Sequence, residues 1–206
     1  MAKKFPDSIP VFPLSGVIYF PKTNLPLNIF EQRYLNLVND AYNKDKLMGM
    51  VQSKKESGSV YQVGCLGKIS DYQKSKDGRI LINLTGISRF KILEEISNKK
   101  LYREFKVDYE DFSEDDNESR NLIDTRSLMT NAKDFFKRNG LLLNWKEFEK
   151  LDQPQQINTL AMSAPITNEE KQKLLESVSL KNKIETLESI ISFYLHETSF
   201  NNQTVQ

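Results

Sequence analysis

The hydrophobic period of this 206-residue chain changes once, across an acidic run at residues 108–118. Before the run, apolar residues come in short stretches or alternate with polar ones, which is the period of strands. After it they recur at spacings of three and four, the period of helices that pack through one face. Seven of the eleven residues in the run are acidic (Asp108, Glu110, Asp111, Glu114, Asp115, Asp116 and Glu118). Such a run reads as a solvated linker, with an acidic docking motif as the alternative. Charge divides nearby: residues 1–110 carry 18 Lys and Arg against 12 Asp and Glu, and residues 111–206 carry 11 against 16. The expected architecture is α+β, with a β-rich lobe at 1–112 and a helical subdomain at 113–206.

Prolines set the character of the first lobe. Apolar runs at 9–12, 16–20 and 25–27 are closed or interrupted by Pro13, Pro21 and Pro26. Proline cannot donate to a ladder, so these strands are expected to be short and to lie at edges. One helix is predicted near 30–43, with Phe30, Tyr34, Leu37, Val38, Ala41 and Tyr42 as its core-facing stripe. Strands are predicted at 47–52, 60–72 and 79–95, and again through Tyr102, Phe105, Val107 and Tyr109. Gly86 marks a bulge or sharp bend in the third of these. Helices follow at 120–139, ended by Gly140 in the left-handed conformation, at 147–152, and at 155–163 behind Pro154. A capping box of Thr167 and Glu170 opens one at 168–177. The last, at 180–197, lines up Leu180, Ile184, Leu187, Ile191 and Leu195.

Residue counts then exclude whole classes of chemistry. Cys65 is the single cysteine and His196 the single histidine, too few for a zinc finger, a CxxC redox pair or a histidine-rich metal centre. A lone cysteine forms no intrachain disulfide and fits a reducing compartment. No stretch of about 18 apolar residues is present, and the N-terminus runs into prolines where a signal peptide needs an apolar core. The expectation is a cytoplasmic protein with no membrane contact and no cofactor.

Tested individually, the motifs give little chemistry. Gly67-Lys68 lacks the first glycine and the hydroxyl of a P-loop, since those positions hold Gln62 and Ile69. Gly64 to Gly67 matches the GXXG of KH domains in letters, but Cys65 and Leu66 between the glycines read as core. No GxSxG elbow or framed SxxK places a nucleophile. Glu94-Glu95 would point to opposite faces of a strand, and Glu169-Glu170 belongs to a helix cap. No catalytic residue is expected.

In order along the chain, Ile9-Pro10-Val11-Phe12-Pro13-Leu14, Phe20-Pro21, Leu25-Pro26-Leu27-Asn28-Ile29-Phe30-Glu31 and Arg33-Tyr34 resemble the opening of the Lon protease N-terminal, substrate-binding domain. Val63-Gly64-Cys65-Leu66-Gly67-Lys68-Ile69 is similar to a strand of that domain, and Asp77-Gly78-Arg79 with Leu84-Thr85-Gly86-Ile87-Ser88-Arg89-Phe90 to its hairpin. Gln172-Lys173-Leu174-Leu175-Glu176 is similar to a helix near its C-terminal end. The resemblance covers residues 8–196. It implies a PUA-like twisted β-barrel followed by a helical subdomain, and a role in recognising protein substrates. It also sets an expectation of a stand-alone bacterial Lon-domain protein, because neither an ATPase nor a Ser–Lys peptidase module follows before Gln206.

The function expected is therefore a non-enzymatic protein- or peptide-binding module whose partners are unfolded or client proteins, with a separate protease as a further candidate partner. Proline-limited edge strands suit extended peptides added as an extra strand. The candidate contact residues are Tyr19, Phe20 and Pro21, read either as exposed aromatic surface or as core, and Glu31 and Arg33, read either as partner contacts or as a tie between strand and helix. The alternative is RNA binding by the PUA-like lobe through Lys54, Lys55, Lys74, Lys76, Lys99 and Lys100. A steep salt dependence would mark that mode, and nucleic acid is the less favoured partner.

Overall fold

Alternation in the first half resolves into β1 (Ser8–Leu14), β2 (Asn24–Ile29), β3 (Leu47–Gln52), β4 (Val63–Lys74), β5 (Ile80–Ile96) and β6 (Arg103–Asp108). In the computed structural model, which describes residues 5–54, 58–116 and 122–201, these strands form one sheet in the order β2-β5-β4-β3-β1-β6. β6 pairs with β1 and also with β5, so the pairings run in a ring and the sheet is barrel-like. β2 stands outside the ring, antiparallel to β5. β1 and β3 are parallel, and such a pair needs a crossover. The helix α1 (Gln32–Asn43) lies in that connection and buries Tyr34, Leu37, Val38 and Ala41.

Gly86 sits where the long strand β5 changes partners. The β4–β5 register slips between Leu66 and Gly67, opposite Ser88 and Gly86, as expected for a bulge. A side chain at Gly86 would collide with the Phe20 carbonyl. That approach explains why the apolar run at 16–20 is not the predicted strand. Ile18, Tyr19 and Phe20 are buried in an irregular segment leading into a turn at Pro21 and Lys22, which is pinned by Lys22 N to Gly86 O at 3.0 Å and Gly86 N to Thr23 O at 2.9 Å. The Thr23 hydroxyl donates to Phe20 O at 2.7 Å.

The acidic run also departs from its reading. Glu110–Asp116 forms a 3-10 segment kinked at Phe112, and Phe112 is buried. Asp115 accepts from Arg89 Nη2 at 2.7 Å, from Arg89 Nε at 2.9 Å and from the Arg89 backbone N at 2.9 Å. The guanidinium also lies 4.4 Å from the Phe112 ring centroid. A guanidinium buried in β5 demands a carboxylate, and that demand folds this part of the run onto the sheet. Glu118 lies outside the described residues. The chain parts into compact units at 1–118 and 119–206.

The second unit holds α2 (Arg126–Arg138), α3 (Trp145–Phe148), α4 (Gln153–Ser163), α5 (Asn168–Glu176) and α6 (Leu180–Asn201). The first residues of the helix predicted at 120–139 lie outside the described ones, and α2 itself starts at Arg126. Gly140 follows α2 with φ of 66°. Ile184, Leu187 and Ile191 of α6 are buried, and Lys183 beside them donates from Nζ to Asn158 Oδ1 of α4 at 2.8 Å. Before α5 the capping box is complete: Glu170 N donates to the Thr167 hydroxyl oxygen at 3.2 Å, and Thr167 N to the Glu170 carboxylate at 2.8 Å. Thr167→Ala is expected to cost about 1 kcal/mol, measurable as a lower urea midpoint.

Candidate functional site

A groove of about 770 Å³ opens in the first unit where the end of β1, the β2–α1 junction and the segment entering β6 come together. Phe12, Pro13 and Leu14 form one wall, Leu27 to Phe30 a second, and Leu101 to Arg103 a third. Two large apolar side chains stand open at it, Phe30 at 66% exposure and Leu101 at 61%. Phe30 was expected in the helical stripe, but α1 begins at Gln32 behind an extended Glu31. Phe30 therefore precedes the helix and is released from its buried face.

Tyr34 anchors the site from the first turn of α1. Its ring lies 4.0 Å from that of Phe12, and its hydroxyl donates to Pro13 O at 3.4 Å. Burial raises the Tyr34 pKa, partly opposed by the charge of Arg33. The Arg33 guanidinium lies 4.5 Å from the Tyr34 ring centroid and 2.9 Å from the Glu31 carboxylate. Glu31 and Arg33 are thus brought together at the groove, exposed and paired with each other.

Across the groove Arg103 grips Glu95 with two bonds, Nε to Oε1 at 2.7 Å and Nη2 to Oε2 at 2.6 Å, and reaches Gly58 O at 3.2 Å. The Arg103 bonds hold Glu95 below the usual carboxylate range. Beside it, burial and the bond to Asp40 push Tyr102 up to about 12. The rim therefore carries two arginines and two carboxylates in matched pairs.

The structure does not bring all five candidate residues here. Tyr19 is 2% exposed and Phe20 0%, and Pro21 is buried with them. They form core under the β5 bend, the second of the two readings their sequence left open. Leu101 escaped the sequence reading because no strand or helix period governs the residues between β5 and β6, while Glu95 and Arg103 fell within predicted strands and carried no sign of a site.

Other sequence candidates fall elsewhere. Gly64 and Gly67 both lie within β4, where they admit the Met50 carbonyl and the Tyr19 hydroxyl at positions a Cβ would fill. A GXXG loop joining helices is therefore not what these residues form. Lys54 stands over the Tyr61 ring, Lys100 is bonded to Glu104 at 2.6 Å, and Lys74 ends β4; Lys55 lies outside the described residues. Cys65 is buried in β4 and His196 is exposed on α6. Among the described residues no three His, Cys, Asp or Glu side chains gather as metal ligands, and no helix is long and apolar enough to cross a membrane.

Comparison with known proteins gives consistent matches. The family model described as the ATP-dependent protease La (LON) substrate-binding domain matches residues 8–192. The Lon protease of Syntrophus aciditrophicus is 25% identical over 93% of this chain and 26% of its own length. That of Flavobacterium johnsoniae is 25% identical over 90% of the chain and 24% of its own. The chain thus spans about a quarter of the length of the curated relatives it matches. Among solved structures, a Lon N-terminal domain protein from Xanthomonas campestris superposes with a TM-score of 0.66 at 22% identity, covering 90% of this chain and 97% of that one. The N-terminal domain of Lon protease from the Mycobacterium avium complex gives 0.63 at 15% identity, covering 90% and 98%. At these identities the two structures speak for the fold alone.

Proposed function

This chain belongs to the Lon substrate-binding domain family, and from that premise we propose that it is a non-enzymatic module that binds unfolded or client polypeptide in the groove beside Phe30. One observation carries the reading: Phe30 and Leu101 stand exposed at a groove whose charged side chains are paired with one another. Large exposed apolar side chains within a polar rim suit a protein partner, and self-neutralised rim charges offer little to a phosphate backbone. A client handed on to a separate protease, in the reducing cytoplasm, completes the proposal.

The test is fluorescence anisotropy of a labelled polypeptide kept unfolded by reduction and alkylation, titrated at two salt concentrations. Wild-type binding is expected to survive the higher salt. Phe30→Asp is expected to weaken it about tenfold, the loss of one desolvated aromatic anchor, while the melting temperature moves by no more than a few degrees. Unchanged affinity in Phe30→Asp and in Leu101→Asp would remove the groove from the function. A steep fall of affinity with salt would instead indicate phosphate-like contacts.

A further inference from the structure

β2 has one ladder and one open side. Its register with β5 runs from Asn24 opposite Thr85 to Ile29 opposite Ile80. Just before it, Gly86 N bonds Thr23 O. Bonded and non-bonded pairs alternate along an antiparallel ladder. Leu25, Leu27 and Ile29 are therefore the residues that bond β5, while Asn24, Pro26 and Asn28 turn their backbone polar groups the other way. Two details agree with this phase. Pro26 has no N–H and is tolerated only where the ladder needs none. The Thr85 hydroxyl reaches Asn24 Oδ1 at 2.8 Å, the side-chain proximity of a non-bonded pair. Among the described residues nothing bonds the outward backbone groups of Asn24, Pro26 and Asn28. Asn28 also lines the groove, so the open edge and the apolar site are continuous.

We propose that an extended segment of a client polypeptide adds as a further strand along the outer edge of β2, bonding the outward N–H of Asn28 and the carbonyls of Asn24, Pro26 and Asn28. This rests on the groove reading above and adds to it a readout of the client's backbone. A strip of amides and carbonyls selects extended main chain with free N–H groups, and the apolar groove it adjoins fixes the register by the side chains it accepts. The occupant is a client in preference to a second copy of this chain. In the register of longest overlap, a second β2 sets Pro26 against Pro26 and forfeits both bonds of that central pair. A client with an ordinary residue there forfeits one.

The experiment titrates the whole chain into a fluorescein-labelled peptide of alternating leucine and serine, and into two analogues, one N-methylated at every leucine and the other at every serine. Successive N–H groups of a strand face opposite edges, so one analogue is expected to lose about tenfold or more in affinity and the other to bind like the parent. Asn28→Pro deletes one outward N–H and leaves the β5 ladder intact. It is expected to weaken the parent peptide several-fold relative to Asn28→Ala, which loses the same side chain and keeps the N–H, about the worth of one hydrogen bond. Equal binding of both methylated analogues, with Phe30→Asp still weakening the parent peptide, would overturn strand addition and leave the groove reading standing. Indifference of the unfolded polypeptide to Phe30→Asp would overturn the groove reading and this inference with it. A sedimenting dimer dissolved by Asn28→Pro would assign the edge to a second copy and overturn the client assignment.

Discussion

Phe20→Ala is expected to destabilise the 1–118 unit by about 3–5 kcal/mol, the range for truncating a buried aromatic residue where the surroundings cannot collapse. Phe20 is fully buried, and three constraints keep its surroundings from closing over a void. Its carbonyl is bonded by the Thr23 hydroxyl, Pro21 fixes the backbone that follows it, and Gly86 already lies against that carbonyl. Thermal unfolding followed by near-UV circular dichroism should show a midpoint lower by on the order of 10 °C. Peptide affinity measured well below that midpoint should be unchanged, because Phe20 does not reach the groove. A variant with native stability and lost binding would contradict its placement.

Asp115→Ala is expected to be comparably costly, about 3–5 kcal/mol, by a different mechanism. It leaves the Arg89 guanidinium, whose side chain is 3% exposed, without the carboxylate that holds it through both side-chain and backbone bonds. A buried charge stripped of its partner is penalised more than the pair was worth. The double variant Arg89→Met with Asp115→Leu should therefore recover most of the loss, since well-packed apolar replacements of buried ion pairs are near neutral or better. Urea unfolding of the single and double variants settles this. A double variant as unstable as Asp115→Ala would mean that Arg89 contributes more than its charge.

These two residues also mark where sequence reasoning stops. Period and punctuation located β3 to the residue, the capping box at Thr167 and Glu170, the left-handed Gly140 and the bend at Gly86, because each depends on neighbours within a few positions. Phe20 was ambiguous because an aromatic residue beside a proline can face solvent at a turn or enter the core; the distant contact with Gly86 decides between them. Asp115 read as part of a solvated run because charge density is local, while its partner Arg89 lies 26 residues earlier, in β5. The groove was half legible. Glu31 and Arg33 were picked out by their place at a helix start, and they do line it. Phe30 was assigned to the helical stripe because a spacing of four from Tyr34 looks helical, although the helix starts two residues later. Leu101 sits in a connection with no period to betray it, and Arg103 opens a strand whose period says nothing of its partner Glu95.

The double pairing of β6 has a consequence for how the molecule is made. Ser8 pairs with Lys106 and Val11 with Arg103, so the first strand waits for a partner from the far end of its own unit. Contacts so distant along the chain fold slowly, because the loop-closure entropy must be met before they form. Until β6 is synthesised, β1 and the β5 edge are exposed strands available to other chains. The newly made polypeptide passes through a stage with unpaired strand edges at β1 and β5, and ring closure by β6 ends that stage.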